Sequence, residues 1–244
     1  MKATAFISDL HLDESRPHTI SLALDFFKAC TSYNALYILG DFFEYWIGDD
    51  AIVEYHVRIF DALKRLGNSG CRIYVMHGNR DFLLSAGFLA KFGVELINQD
   101  HIVIDLYGQS TLILHGDTLC TDDVDYQNFR RSVRAREWQT SFLSKPLADR
   151  QQTVAALREK SRSATAEKTS EITDVNVDTV ISTLNEHNVV QMIHGHTHRP
   201  AVHQHATNNA NCFRYVLGEW ATSAEVAIAS ADGIALKSWP NDFA

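Results

Sequence analysis

Five short clusters of oxygen and imidazole donors punctuate this sequence: Asp9-Leu10-His11, Gly40-Asp41, Gly78-Asn79-Arg80-Asp81, His115-Gly116-Asp117 and Gly195-His196-Thr197-His198. The candidate ligands are Asp9, His11, Asp41, Asn79, His115, His196 and His198: carboxylates, imidazoles and one amide, with no thiolate. That donor set suits a hard or borderline divalent ion such as Mn2+ or Mg2+, ahead of Fe or Zn. A carboxylate in the middle of the set, Asp41, could bridge two ions ~3.5–4 Å apart, the spacing two-metal hydrolases use. The chemistry these residues point to is metal-assisted hydrolysis at phosphorus.

Taken singly, none of the clusters carries that reading. Asp-x-His has no diagnostic value, Gly-Asp pairs are ordinary turns, Gly-Asn-Arg-Asp could be a turn before a helix, and His-Gly-Asp could be a capped strand end. Gly-His-Thr-His is more specific, because two histidines flanking a threonine at a strand end have few structural uses. The weight lies in all five, in order, each following an apolar run. His77, His194, His203 and His205 lie near the clusters and are read as supporting, core or surface residues. His18, His56, His101 and His187 are given no chemical role.

The elements that must position these donors follow from hydrophobic patterning. Apolar runs predict strands at 4–8, 35–39, 72–76, 189–193 and 212–217, a hairpin from 101–106 to 110–114 turning at Tyr107-Gly108, and a strand pair around Asp232-Gly233. Helical spacing of apolar residues predicts helices over 18–30 and 52–66, the latter stopping at Gly67 and Gly70. Short strands alternating with helices argue for an α/β sheet. In such sheets ligands bind beyond the carboxyl ends of the strands, where all five clusters fall.

With 244 residues, 45% of them hydrophobic and 21% charged, the chain can bury a full core, and wholesale disorder is excluded. No stretch approaches the ~20 apolar residues that span a bilayer. Asp9 and Asp13 interrupt the N-terminal apolar run, which reads as a first strand rather than a signal peptide. Cys30, Cys71, Cys120 and Cys212 have no paired spacing and read as buried free thiols of a reducing compartment. A net charge of −8 disfavours non-specific nucleic-acid binding. The charge is uneven: between Tyr126 and Lys168, ten Lys and Arg against four acids leave +6 there and −14 elsewhere. The surrounding stretch, about 121–170, is rich in helix formers and reads as a helical insertion or cap on one domain spanning 1–244.

The ordered set D-x-H, GD, GN-x-D, His-Gly and GH-x-H, spanning residues 9 to 198, resembles the calcineurin-like metallophosphoesterases. The longer stretches ISDLHL, YILGDFFEYWIGDD, HGNRDFLL, LHGDTLCTDD and IHGHTHRPAVH are similar to the branch of that family that acts on UDP-2,3-diacylglucosamine in lipid A biosynthesis. The resemblance implies a four-layer αββα sandwich of two mixed sheets with a helical cap. It implies two Mn2+ per chain, with Mg2+ or another divalent ion possible. Asp9, His11, Asp41 and His198 would hold one ion, and Asp41, Asn79, His115 and His196 the other. It places substrate contacts at Asn79, Arg80, Asp123, Ser161, Thr165, Lys168 and His196, and catalytic roles at Asp41, Asn79 and Arg80.

The reaction so implied is attack of a metal-bound hydroxide on the α-phosphorus of UDP-2,3-diacylglucosamine, giving UMP and 2,3-diacylglucosamine 1-phosphate. Arg80 supports an anhydride substrate: arginine keeps its proton at any working pH, so it cannot act as a general acid, but it can neutralise a diphosphate. Apolar side chains among ten bases in 126–168 suit acyl chains, phosphates and peripheral contact with the cytoplasmic face of an anionic inner membrane. No obligate protein partner is evident. Two rivals stand beside this reading. A phosphatase or phosphodiesterase of soluble nucleotides would share the metal site without needing the apolar, basic insertion. A non-catalytic metal-binding scaffold would be expected to have lost ligand positions, all of which are filled here.

Overall fold

The structure, a computed structural model, describes residues 2–167, 172–206 and 211–243; of the side chains from 160 to 167 nothing is stated. Eleven strands among the described residues form two sheets. The six-stranded sheet contains β1 (Thr4–Ile7), β2 (Ala35–Leu39), β3 (Arg72–Met76), β4 (Val94–Ile97), β10 (Ala224–Ser230) and β11 (Gly233–Trp239), in the order β11-β10-β1-β2-β3-β4. The five-stranded sheet contains β5 (His101–Leu106), β6 (Gln109–Leu114), β7 (Gln191–His194), β8 (Ala201–Ala206) and β9 (Asn211–Val216), in the order β5-β6-β7-β9-β8. Strands β1 to β4 run parallel, β10 pairs antiparallel with β1, and β11 pairs antiparallel with β10; in the second sheet β6, β7 and β9 are parallel, with antiparallel β5 and β8 at the edges.

Alternating side chains divide the core into three layers, as the period of two along a strand requires. From β1, Phe6 points inward to meet Leu39, Met76, Ile113 and Ile193 between the sheets, whereas Ala5 and Ile7 face outward. On that outer face α1 (Pro17–Ala29), α2 (Glu54–Asn68) and α3 (Ala86–Ala90) complete the layer with Phe26, Phe27, Phe60 and Phe88. Leu112 and Met192 face the opposite way, against Val180 and Leu184 of α7 (Val177–Glu186). The order is helix, sheet, sheet, helix, the four-layer mixed α/β arrangement expected from the resemblance. Parallel register stacks Phe6 on Tyr37 at 5.0 Å and Tyr37 on Tyr74 at 4.6 Å, a ring ladder across the inner face of three strands.

Patterning located β1, β2, β3 and the β5–β6 hairpin within a residue or so, and placed β7 two residues early. It passed over β4, β8, α3 and α7. Between β6 and α7 lie three further helices, α4 (Val124–Arg134), α5 (Arg136–Leu143) and α6 (Leu147–Glu167). All four cysteines are buried and free. No helix among the described residues is long and apolar enough to cross a membrane.

His56, given no role on sequence grounds, is a buried cap in the first turn of α2. Its Nδ1 accepts the Val53 N–H at 3.2 Å while Phe43, Trp46 and Tyr55 surround the ring. Burial pushes this imidazole down to about 4. Because that lies below the ~6.5 of an unfolded chain, protonation favours unfolding. The contribution is complete above pH ~6.5 and fades as pH falls toward 4. At pH 5 the loss is about 2 kcal/mol relative to neutral pH. Chemical denaturation at pH 7.5 and 5.0 should therefore show wild type losing about 2 kcal/mol more than His56→Gln; equal losses would contradict the assignment.

Candidate metal centre

All five donor clusters sit on loops at the carboxyl ends of parallel strands, three from the first sheet (β1, β2, β3) and two from the second (β6, β7). Backbone hydrogen bonds lace the loops together: Asp9 N donates to Gly40 O at 3.1 Å, His11 N to Asp41 O at 3.0 Å and Gly195 N to His115 O at 2.8 Å. Two glycines make this approach possible. A Cβ on Gly78 would lie 2.2 Å from the Asp41 amide nitrogen, and one on Gly195 would lie 2.2 Å from Asp9 Oδ2.

The backbone at the donors is strained. Asp9, His11, Asp41, His196 and His198 have φ of 56°, 45°, 49°, 67° and 56°; the other two described non-glycine residues with positive φ are Tyr107 and Asn188. A left-handed conformation costs a residue with a side chain on the order of 1–3 kcal/mol and persists where the surroundings over-determine it, often at functional sites. Five such residues in one place mark the centre independently of any motif.

Side chains converge into two poles around Asp41. At one pole His11 Nε2 is 3.7 Å from Asp41 Oδ2, His198 Nε2 is 3.3 Å from His11 Nε2, and Asp9 Oδ1 is 3.4 Å from His198 Nε2. At the other, His115 Nε2 is 3.8 Å from Asp41 Oδ1, and Asn79 Oδ1 lies 2.9 Å from His115 Nε2 and 3.0 Å from His196 Nδ1. The two oxygens of Asp41 thus face different poles, the geometry expected of a bridging carboxylate. Asp9, His11 and His198, and separately Asp9, Asp41 and His115, have donor atoms close enough together to ligate one ion.

The electrostatics fit a cation. Asp9 and Asp41 are fully buried carboxylates, and Asp9 Oδ1 receives no hydrogen bond. Buried anions are costly without a counter-charge. Burial raises the Asp41 carboxyl against the pull of His115 and His11. Burial acts the same way on Asp9, yet the close His198 imidazole, with those of His115 and His11, holds it well below the usual carboxylate range. Burial would lower His198, but Asp9 and Glu219 push it up to about 10, so this pole attracts positive charge. Burial and His115 push His196 down to about 4, leaving it neutral for ligation.

The remaining motif residues brace the loops. Asp81 accepts from Phe42 N at 2.7 Å and Gly78 N at 2.8 Å, tying the second loop to the third. Arg80 does not pair with Asp81; its guanidinium lies 3.8 Å from Glu44. Asp117 binds Arg130 and Tyr126 of α4, each at 2.7 Å, and Arg134 donates to Gly78 O at 2.8 Å, so α4 is anchored on the metal loops. His194 is buried, with Nδ1 2.8 Å from Gly195 O, and His77 contacts Leu84 O. Both are supports.

Beside the centre opens a cavity of about 560 Å3. Asn79, Arg80 and Asp123 are among its polar lining; Phe82, Leu83, Val133, Trp138, Val154 and Leu157 form much of its apolar wall. Asp123 also caps α4 by accepting from Tyr126 N at 3.1 Å. Ser161 and Thr165 fall on the last turns of α6, where side chains are not described, and Lys168 lies outside the described residues.

A family model for calcineurin-like phosphoesterases matches residues 3–200. The chain belongs to that family. Members use divalent metal ions, and this calcineurin-like phosphoesterase places candidate ligands for them at both poles. It is 45% identical over 237 residues to a protein of Cellvibrio japonicus named UDP-2,3-diacylglucosamine hydrolase, covering 97% of this chain and 98% of the other. Proteins of the same name from Escherichia coli O7:K1 and Marinobacter nauticus are 44% and 47% identical; the alignments cover 98% and 89% of this chain, and 99% and 89% of theirs. Among solved structures, an archaeal phosphodiesterase shares the fold with a TM-score of 0.50 at 12% identity, over 97% of this chain and 99% of that one.

Sequence reasoning missed Glu44 and Glu219. Glu44 Oε2 lies 3.1 Å from His11 Nδ1, and Glu219 Oε2 lies 3.2 Å from His198 Nδ1. Glu44 stands only three residues after Asp41, a proximity that could have flagged it; Glu219 stands 21 residues after His198, and only the return of the chain toward β10 brings it there.

Proposed function

We propose that this phosphoesterase hydrolyses the diphosphate of UDP-2,3-diacylglucosamine at the α-phosphorus, releasing UMP and 2,3-diacylglucosamine 1-phosphate. The observation that carries the proposal is the cavity: Asn79 and Arg80 line it beside an apolar wall of Phe82, Leu83, Val133, Trp138, Val154 and Leu157, a combination suited to a diphosphate carrying acyl chains. The names of the relatives support the same substrate.

Asp9, His11, Asp41 and His198 would hold one divalent ion and Asp41, Asn79, His115 and His196 the other, with Mn2+ the proposed occupant and Mg2+ the alternative. Bound there, such ions supply water of lowered pKa and neutralise charge developing at phosphorus. The chain's own groups do the rest. Asn79 and Arg80 orient the diphosphate for in-line displacement, and the fixed Arg80 charge stabilises the departing phosphate. The bond from the α-phosphorus to the bridging oxygen breaks, the water oxygen stays on UMP, and the sugar phosphate leaves without needing a proton donor. Helices α4 to α6 act as a cap over the acyl chains, with Asp123 in the polar lining and Ser161, Thr165 and Lys168 proposed as further substrate contacts.

Side-by-side assays with UDP-2,3-diacylglucosamine, UDP-glucose and bis-nucleoside polyphosphates test the proposal. A preference of at least about 100-fold in kcat/KM for the diacyl substrate is expected, since each buried methylene contributes ~0.8 kcal/mol. Comparable rates on the soluble nucleotides would favour a soluble-nucleotide phosphodiesterase. Leu157→Glu, which puts a charge into the apolar wall, should erase most of the preference for long acyl chains over acetyl groups.

Peripheral binding to the cytoplasmic face of an anionic inner membrane is part of the proposal. Exposed Leu143 and Leu147 lie close in sequence to Arg136 and Lys145, an apolar and basic pairing suited to a lipid surface. Flotation with anionic vesicles should recover the protein at low salt and release it at high salt. Absence from the vesicles at low salt would count against membrane contact.

A further inference from the structure

His11 and His198 present their Nε2 atoms to each other at 3.3 Å across one pole, and the far nitrogen of each ring meets a carboxylate. A carboxylate only accepts, so one lying 3.1 Å from His11 Nδ1 or 3.2 Å from His198 Nδ1 favours the tautomer with its proton there and leaves the Nε2 lone pair facing the centre. The two carboxylates differ in their other partners. Glu219 is tied to Arg16 at 3.3 Å, on the body of the protein. Through Oε1, Glu44 takes a 2.7 Å hydrogen bond from Arg158 of α6 and lies 3.8 Å from Arg80. Arg158 also stacks over the Tyr45 ring at 5.2 Å, and Glu44, Tyr45, Arg80 and Arg158 all line the cavity. One carboxylate therefore spans the metal pole and the helix that closes the cavity.

We propose that Glu44 and Glu219 are positioning residues for His11 and His198, and that Glu44 additionally links the His11–His198 pole to the seating of α6 through Arg158. The inference rests on the metal and cap assignments of the proposed function and adds a division of labour. Glu219 serves the ion site alone, Arg158 serves the cap, and Glu44 serves both. Removing either glutamate frees an imidazole to rotate and weakens one ion site, whereas removing Glu44 or Arg158 loosens α6 over the bound substrate.

The test is calorimetric titration of chelator-stripped full-length protein with Mn2+, paired with steady-state kinetics on UDP-2,3-diacylglucosamine at saturating Mn2+. Wild type should bind two ions. Glu44→Ala and Glu219→Ala should each weaken one of the two by about 10- to 100-fold while leaving the other in place. Arg158→Ala should keep both ion affinities but raise KM about tenfold. Glu44→Ala should share that KM rise; Glu219→Ala should not. Glu44→Gln, which retains an acceptor for His11 Nδ1, should recover much of the ion affinity but not the KM. Circular dichroism and thermal melting of each stripped variant identify any that fail to fold, and for such a position Glu→Gln replaces Glu→Ala. Wild-type-like ion binding in both glutamate variants, or a KM rise of equal size in Glu219→Ala and Glu44→Ala, would overturn the proposal. Failure of wild type to bind Mn2+ would instead overturn the metal reading on which it rests.

Discussion

Asp41→Asn is expected to lower turnover by at least about three orders of magnitude without unfolding the protein. The two carboxylate oxygens stand between the poles, 3.7 Å from His11 Nε2 on one side and 3.8 Å from His115 Nε2 on the other. The oxygens of Asp41 face histidines of different poles, one each. Asparagine keeps the acceptor that Arg80 N uses at 2.9 Å, so the loop geometry should survive. What disappears is a buried negative charge that burial already disfavours. Stability and function therefore move in opposite directions. In chelator the variant should melt at the same temperature as wild type or a few degrees above it, as expected when a strained functional site is relieved. In Mn2+ the wild-type melting temperature should rise and that of Asp41→Asn should rise much less. Differential scanning fluorimetry with both buffers reads all four values. A variant that keeps both its activity and its Mn2+-induced stabilisation would remove the bridging role of Asp41.

Arg80→Met is expected to reduce kcat/KM by about 100- to 1000-fold, the magnitude for losing one preorganised charge at a phosphoryl transition state. Arg80→Lys should recover part of it, because a compact ammonium supplies charge without the planar fork. The pH profile separates charge stabilisation from acid catalysis. Arginine does not titrate in the working range, so Arg80→Met should scale the whole pH–rate curve down and leave its limbs in place. Loss of an alkaline limb in Arg80→Met would mean that the residue governs a proton transfer, and the anhydride argument would fall. Structurally, Arg80 leaves Asp81 to the backbone amides of Phe42 and Gly78 and directs its own guanidinium toward Glu44 and the cavity.

The central strands and the donor loops were legible in the sequence because both rest on local patterns. β1, β2 and β3 are short, strongly apolar runs that end at the donors they position, and Gly40, Gly78, Gly116 and Gly195 mark close approaches of backbone. β4 and β8 were not legible. β4 is four residues long, and β8 (AVHQHA) has too few apolar residues for its alternation of half-buried and exposed positions to show as hydrophobic patterning. The positive φ at Asp9, His11, Asp41, His196 and His198 was also invisible, because aspartate and histidine enter the left-handed region more readily than most residues yet do so only where the surrounding fold demands it. Glu44 and Glu219 escaped for a related reason. A carboxylate that orients an imidazole has no fixed spacing from it: Glu44 lies 33 residues after His11, and Glu219 lies 21 after His198. His56 illustrates the opposite limit, since its aromatic cage is assembled from Phe43, Trp46 and Tyr55, neighbours on two different segments.

Anomalous diffraction from crystals grown with Mn2+ tests the central claim most directly. Two peaks about 3.5–4 Å apart are predicted, one ringed by Asp9, His11 and His198, the other by Asn79, His115 and His196, with Asp41 touching both. A single peak, or two peaks that Asp41 does not join, would contradict it.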